Sequence, residues 1–316
     1  MPAILTITLN PTVDFATTAP EIVAGPKLRC TAPDTDPGGG GINVARAIRL
    51  LGGEATALVA IGGSTGAELL ELLAFEGVAT VAIQGPGETR RSVSVIDEST
   101  GKQYRFVMPG PDWTEAAVGR ALDGVDRAAP DAAFVVLSGS QPPGVAKDFP
   151  GILADHVAGR KAKVIVDTSG EALQHLAKER HEDGLYLLRM NVDEAEDLAG
   201  RPLPGREDTA AFARELASRG VAELIVIARG GDGNVLASKS EAWHSAPPPV
   251  EVRSAVGAGD SFVGAFALWA SRGEPVQNCL RAGGAAASAT CTTEGTRLCD
   301  PDQTKELYDA ATLARL

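Results

Sequence analysis

Between residues 254 and 269 the chain reads SAVGAGDSFVGAFALW. Gly257, Ala258 and Gly259 precede a lone carboxylate, Asp260, and an apolar helical pattern begins at once. The amides of these three residues can point into one concavity at a helix start, where the helix dipole adds positive potential. Such a nest steadies charge on a transferring phosphoryl group. A carboxylate beside it can take the proton of an attacking hydroxyl. A helix-capping aspartate, worth ~1 kcal/mol, explains the same residue equally well.

Three other clusters carry chemistry. In PGGGGINVARAIRLLGG, residues 37–53, four consecutive glycines stand ahead of a helix. They leave backbone N–H groups free and remove the side chains that would hold a ligand away. Asn43, on the first turn, offers both a donor and an acceptor, which suits sugar hydroxyls. The run is neither GxxxxGK[ST] nor a GxGxxG after a strand, which excludes a P-loop and a dinucleotide fingerprint. In RMNVDEAEDL, residues 189–198, Asn191 and Glu194 lie three apart. That spacing lets both reach a hydrated Mg²⁺, and it equally closes a capping box at a helix start. Finally, Lys27, Arg29, Arg90, Arg91 and Arg105 sit on two extended segments. If they converge, their guanidinium groups could grip a phosphate bidentately; pairing with Glu88 or Asp97 is the alternative.

The elements that must position these residues alternate. ILTITL, EATALVAI, AAFVVLSG, KVIVDT, GLYLLRM and AELIVIAR read as strands. Helical patterns cover 42–51, 66–76, 115–127, 192–198, 209–219 and 259–271, and the tail, 302–316, reads as one more helix. This predicts an α/β fold of one main domain, with parallel strands joined by crossover helices. Residues 14–37 and 89–108 break the alternation with extended, half-polar sequence, the second reading as a hairpin turning at DESTGK. Together they predict a small projecting sheet whose apolar face needs a cover, as a lid or a dimer contact.

Composition sets outer limits. A net charge of −12 over 316 residues argues against nucleic-acid and acidic-membrane binding. No apolar run approaches the ~18 residues of a membrane span, and MPAILTITLNP has no basic n-region, so no signal peptide is expected. Cys30, Cys279, Cys291 and Cys299 form no CxxC and only four histidines are present. That argues against zinc and a disulfide framework and predicts a cytoplasmic setting.

GGGGINVARAIRLLGG and VGAGDSFVGAF, in that order, resemble the motifs of the ribokinase-like PfkB carbohydrate kinases. NPTVD, KLRCTAPDTDPGGGGINVARAI, QYRFVMPG, LSGSQPPG, DTSGEAL and EGTRLC resemble its branch of PfkB-type (minor) 6-phosphofructokinases, from the first strand to the last helix. The resemblance implies a ribokinase-like three-layer α/β/α sandwich with a mainly parallel central sheet. A projecting β-sheet lid, over about 13–37 and 88–109, would pair with a second copy to make a homodimer. It implies ATP-dependent phosphorylation of fructose 6-phosphate at its C1 hydroxyl, in glycolysis, with Asp260 as catalytic base and Gly257, Ala258 and Gly259 as its anion hole. Asp14, Gly38, Gly39 and Asn43 would hold sugar hydroxyls. Lys27, Arg90 and Arg105 would hold the substrate phosphate, with Ser140 in the same pocket. Arg189, Asn191, Gly230 and Gly233 would face ATP, and Asn191 and Glu194 the Mg²⁺, Glu194 through water; a monovalent cation is a further candidate.

Three positions depart from the branch pattern. Arg189 and Met190 stand in place of a Lys-Pro pair, Ala228 in place of a serine, and Ala255 in place of a threonine. The alanines each remove a hydroxyl that could contact ATP. A 1-phosphofructokinase or a tagatose-6-phosphate kinase is the neighbouring reading. A non-catalytic sugar-phosphate sensor is the reading from another class, opposed by the intact Asp260, Asn191 and Glu194.

Overall fold

A computed structural model of the chain describes residues 3–160, 162–181 and 185–316. The strands are β1 (Ala3–Thr8), β2 (Thr12–Ala19), β3 (Asp34–Gly38), β4 (Thr56–Ile61), β5 (Ala79–Gln84), β6 (Arg90–Asp97) and β7 (Gln103–Val107). They continue with β8 (Ala132–Ser138), β9 (Lys163–Asp167), β10 (Leu185–Asn191), β11 (Leu224–Ala228), β12 (Asn234–Ala237), β13 (Ala242–Ala246) and β14 (Thr312–Arg315). The helices are α1 (Gly40–Leu50), α2 (Gly63–Phe75), α3 (Glu115–Ala128), α4 (Phe149–Ala158) and α5 (Gly170–Leu176). After them come α6 (Val192–Ala199), α7 (Arg206–Arg219), α8 (Ala258–Ser271), α9 (Val276–Cys291) and α10 (Pro301–Ala310). Gly184, in the expected strand GLYLLRM, lies outside the described residues.

Ten strands form the main sheet in the order β14-β13-β12-β11-β10-β9-β8-β1-β4-β5. The run from β11 to β5 is parallel, and β12, β13 and β14 extend one edge antiparallel. Strand side chains alternate between the two faces, so both faces are apolar and each takes a layer of helices. Leu5, Ile7, Val164, Val166, Ile225 and Ile227 pack against α3, α4, α5 and α7. On the other face Ile4, Val136, Ile165 and Val226 meet α1, α8 and α9 through Val44, Ile48, Phe262, Phe266 and Leu280. Full burial of side chains this size stabilises the sandwich by about 1.5–3 kcal/mol each.

The second sheet has the order β3-β2-β6-β7. Both segments that broke the sequence alternation contribute to it: β2 and β3 come from the first, and the β6–β7 hairpin, turning over 98–102, is the second. All five residues of β7 are exposed, and Tyr104, Phe106, Val107 and Met108 present apolar surface to solvent.

The tail departs from the sequence expectation. It is helical only to Ala310, after which Ala311 turns extended (φ −66°, ψ 136°) and Thr312–Arg315 pairs antiparallel with β13. An open sheet edge offering ladder hydrogen bonds, continued by Leu316 N–H to the Ala242 carbonyl at 2.9 Å, outweighs the weak helical pattern of the last residues.

Candidate active site

The carboxyl ends of β1, β8, β9 and β10 and the first turns of α1 and α8 meet at one rim of the sheet, the place where open α/β sheets form their ligand crevices. Asp260 sits in the first turn of α8, but it is not the cap. Gly257 occupies that position in the left-handed conformation (φ 76°), and no side chain caps the helix. The Asp260 carboxylate instead turns to other elements: Oδ1 accepts from the Ser138 hydroxyl at the end of β8, at 2.9 Å, and Oδ2 from Asn43 Nδ2 on α1, at 3.0 Å. The capping alternative therefore fails.

Burial pushes the Asp260 pKa up to about 6, and the negative charge of Asp167 adds to the rise. The donors Asn43 and Ser138, and the more distant Arg189, pull it partway back. Part of the residue remains open to the crevice. The outcome is a carboxylate that is ionised at neutral pH yet basic enough to take a proton.

The glycine run owes part of its composition to packing. A Cβ on Gly40 would lie 2.5 Å from the Ser138 backbone, and one on Gly41 would lie 2.3 Å from the Ile7 carbonyl oxygen. These close approaches draw α1 against the ends of β1 and β8, so that Asn43 reaches Asp260. Gly39 is the α1 N-cap, and Gly38, at the end of β3, abuts the Asp14 carboxylate.

Arg189, on β10, lies beside Asp167 on β9, with Nη1 3.2 Å from each carboxylate oxygen. Its guanidinium packs on the α8 first turn: a Cβ on Gly259 would come within 2.7 Å of Nη1, and the Phe262 ring lies 5.9 Å away. A cation thus stands beside Gly257, Ala258 and Gly259, held by a carboxylate and an aromatic ring. Asn191 and Glu194, next along, form a reciprocal capping box at 2.9 Å in both directions. Burial raises the Glu194 carboxyl above its ordinary value, the Asn191 backbone N–H opposes this, and Asp167 adds to the rise. Capping leaves Asn191 Nδ2 and Glu194 Oε1 available. Gly230 and Gly233 flank a short 3₁₀ turn just beyond β11, whose last residue, Ala228, pairs in register with Asn191.

A second charged cluster lies under the small sheet. Asp14 on β2 faces Ser92 on β6, with Thr12, Arg90 and Arg105 around it. Burial raises the Asp14 carboxyl; the Thr12 hydroxyl, then the two arginines and Ser92, counter it. Burial lowers the Arg90 guanidinium, Asp14 restores it in part, and the like charge of Arg105 adds to the lowering. Arg90 is fixed by donating to the Asn10 carbonyl at 3.2 Å and the Met108 carbonyl at 3.3 Å. Asp14, Ser92, Arg105, Val107, Val256 and Thr296 line the narrow cleft between this sheet and the main body. Arg91 points elsewhere, pairing with Glu68 at 2.7 Å rather than with Glu88.

Two sequence-derived candidates stand apart from these contacts. Lys27 is exposed on the loop between β2 and β3. Ser140 is exposed and lines a neighbouring cleft with Gln141, Lys147 and Ser169, while Ser138, two residues earlier, is the serine that reaches Asp260. Ser138 and Asp167 went unnoticed in the sequence. Their signal was available: each is the polar residue that ends an apolar parallel strand, where the side chain meets the crevice.

Among the described residues no group of three His, Cys, Asp or Glu side chains is arranged to hold a metal ion by itself, and no helix is long and apolar enough to cross a membrane.

Comparison with known proteins agrees with this architecture. Residues 6–303 match the pfkB family carbohydrate kinase, and the chain belongs to that family. It is 41% identical over 310 residues to the ATP-dependent 6-phosphofructokinase isozyme 2 of Mycobacterium tuberculosis, covering 98% of this chain and 90% of that one. The Escherichia coli protein of the same name is 40% identical over 308 residues, covering 98% of both. The crystal structure of phosphofructokinase-2 from Escherichia coli in complex with potassium superimposes with a TM-score of 0.91, covering 98% of this chain and 99% of that chain. The protein is a carbohydrate kinase with the ribokinase-like α/β fold and its accessory sheet.

The raised Asp260 pKa has a consequence for stability. In the unfolded chain the carboxyl ionises near 3.8, in the fold near 6, so its ionisation opposes folding. That penalty is absent below about pH 4 and complete above about pH 6. Asp260→Asn is therefore expected to stabilise the protein at pH 8, by on the order of 3 kcal/mol, and to lose most of that advantage near pH 4. Urea unfolding at the two pH values checks this; equal stability changes at both would refute it.

Proposed function

We propose that the protein transfers the γ-phosphoryl group of ATP to the C1 hydroxyl of fructose 6-phosphate, giving fructose 1,6-bisphosphate and ADP. The observation that carries the sugar-phosphate assignment is the imbalance of the cluster under the small sheet. Arg90 and Arg105 face a single carboxylate, Asp14, so the cleft retains a positive charge that an anionic group can satisfy. The names of the relatives support the same substrate. In this reading Arg90 and Arg105 hold the 6-phosphate bidentately, with Lys27, on the exposed loop between β2 and β3, reaching in as a third cation and Ser140 approaching from the neighbouring cleft. Asp14, Asn43 and the backbone at Gly38 and Gly39 hold the sugar hydroxyls.

Asp260 takes the proton of the C1 hydroxyl as its oxygen bonds to the γ-phosphorus and the bond to ADP breaks. The amides of Gly257, Ala258 and Gly259, reinforced by the α8 dipole and by Arg189, face the charge that gathers on the transferring group. Asn191, Gly230 and Gly233 border the nucleotide. Glu194 has a free carboxylate oxygen, Oε1, and Asn191 the second lone pair of its capping Oδ1, to offer Mg²⁺ directly or through its waters; the ion keeps most of those waters and would neutralise phosphate charge when bound. Potassium, held by the Escherichia coli relative's structure, is the corresponding candidate for a monovalent cation. Little covalent chemistry is asked of the protein, so positioning and electrostatics supply most of the rate. A cytoplasmic, glycolytic setting follows from these substrates.

A panel of fructose 6-phosphate, fructose 1-phosphate and tagatose 6-phosphate with ATP and with GTP tests the reading. Fructose 6-phosphate with ATP is expected to give the highest kcat/KM. Arg105→Ala should lower it by roughly 30- to 150-fold, mainly through KM, as loss of a charge-assisted contact of ~2–3 kcal/mol requires. A preference for fructose 1-phosphate would overturn the assignment, and ligand binding without ADP release would favour a sensor.

The apolar face of β7 supports a homodimer formed through the small sheets, since an exposed edge with aromatic and aliphatic side chains pairs readily with a second copy. Sedimentation should give a dimer for the native chain and a monomer for Phe106→Asp. A native monomer at micromolar concentration would refute it.

A further inference from the structure

Arg46 is the most heavily bonded charged side chain at the rim. It lies on α1, three residues after Asn43, with only 8% of its surface exposed. Its Nε and Nη2 hold the two Glu76 oxygens, each at 2.6 Å, and Nη2 also lies 3.5 Å from Asp36 on β3. A structural ion pair with Glu76 accounts for those two nitrogens. It leaves Nη1 unexplained, and Nη1 donates to the Pro37 carbonyl at 3.1 Å and to Asn43 Oδ1 at 3.3 Å.

That last contact decides which way the Asn43 amide faces. A guanidinium has five donors and no acceptor, so the amide atom turned toward Arg46 must be its oxygen. The amide nitrogen then points the opposite way, where Asp260 Oδ2 receives it at 3.0 Å. We propose that Arg46 is a positioning residue for phosphoryl transfer: it locks the Asn43 amide in the orientation that donates to Asp260, and through Pro37 and Asp36 it ties that orientation to β3. Without Arg46 the amide can turn over and present a lone pair to the carboxylate, or leave it.

The geometry stands apart from the substrate assignment, though its consequence for turnover rests on Asp260 acting as base. The charged groups facing Asp260 are Asp167 from β9 and Arg189 from β10; Ser138 from β8 and Asn43 from α1 complete its surroundings. Only the Asn43 contact is altered by a change at Arg46.

The experiment is carbon-13 carboxyl NMR of the full chain, with the Asp260 signal assigned by its loss in Asp260→Asn. The titration midpoint, about 6 in the native protein, should rise by about half a pH unit or more in Arg46→Lys, because a donor to the charged form is lost. Asn43→Ala should raise it similarly, and adding Arg46→Lys to Asn43→Ala should raise it no further. With fructose 6-phosphate, kcat of Arg46→Lys should fall ~10-fold with KM changed by less than about threefold. An unmoved midpoint with a lowered Tm would overturn the proposal and leave a purely structural role, as would full additivity of the two substitutions. If Arg46→Lys does not fold, Glu76→Gln loosens the same guanidinium from a half-buried position. The midpoint should then move in the same direction, and an unmoved one overturns the proposal. Absence of turnover in the native protein would refute the proposed function while the NMR result still decides the role of Arg46.

Discussion

A carboxylate set among protein atoms at the head of a helix can stay ionised only if both its oxygens are met by donors, and this requirement governs the Asp260 rim. Ser138 meets one oxygen and Asn43 the other. The two donors come from elements far apart in sequence, so the sheet order and the packing of α1 against β1 and β8 must bring them together. Gly40 and Gly41 serve that packing, since any side chain there would strike the Ser138 backbone or the Ile7 carbonyl. The glycine run is therefore part of how Asp260 is held, beyond whatever ligand it admits.

The two charged clusters divide the chemical work. At the rim, three carboxylates, Asp167, Glu194 and Asp260, share one arginine, Arg189, and the pKa values of the Asp260 and Glu194 carboxyls are driven upward. Under the small sheet the ratio reverses, with two arginines around one aspartate. An overall charge of −12 would repel a sugar phosphate and ATP, so local concentrations of cations are needed. Arg90 and Arg105 of the small sheet supply one such concentration. The α8 amides with Arg189 supply the other. Arg46 sits where the two regions join, bonded to β3 on one side and to Asn43 on the other.

Much of this was legible in sequence because local rules sufficed. Apolar runs ended by polar residues gave the parallel strands, and the two half-polar segments gave the accessory sheet. Asp260, Asn43, Arg90 and Arg105 were candidates by residue type and setting, and Asp14 through the resemblance to the PfkB kinases. What escaped depends on contacts between distant segments. The helix α9 was not anticipated, and inside it Gly283 faces the Phe262 ring on α8, where a Cβ would lie 2.7 Å from the ring. The tail was expected to be wholly helical, and only the open edge of β13 explains its last strand. Ser138, Asp167 and Arg46 were missed because their importance lies in what faces them across the crevice.

The central claim is that Asp260 must be ionised for the reaction and that its surroundings set the pH at which this happens. The most direct measurement is kcat/KM of the native protein for fructose 6-phosphate from pH 5 to 9, at saturating MgATP. With the Asp260 carboxyl titrating at about 6, the profile should be level above pH 7 and fall tenfold per pH unit on the acid side, approaching that slope below about pH 5.5. A profile that stays level through pH 5 would contradict the assignment of Asp260 as the base.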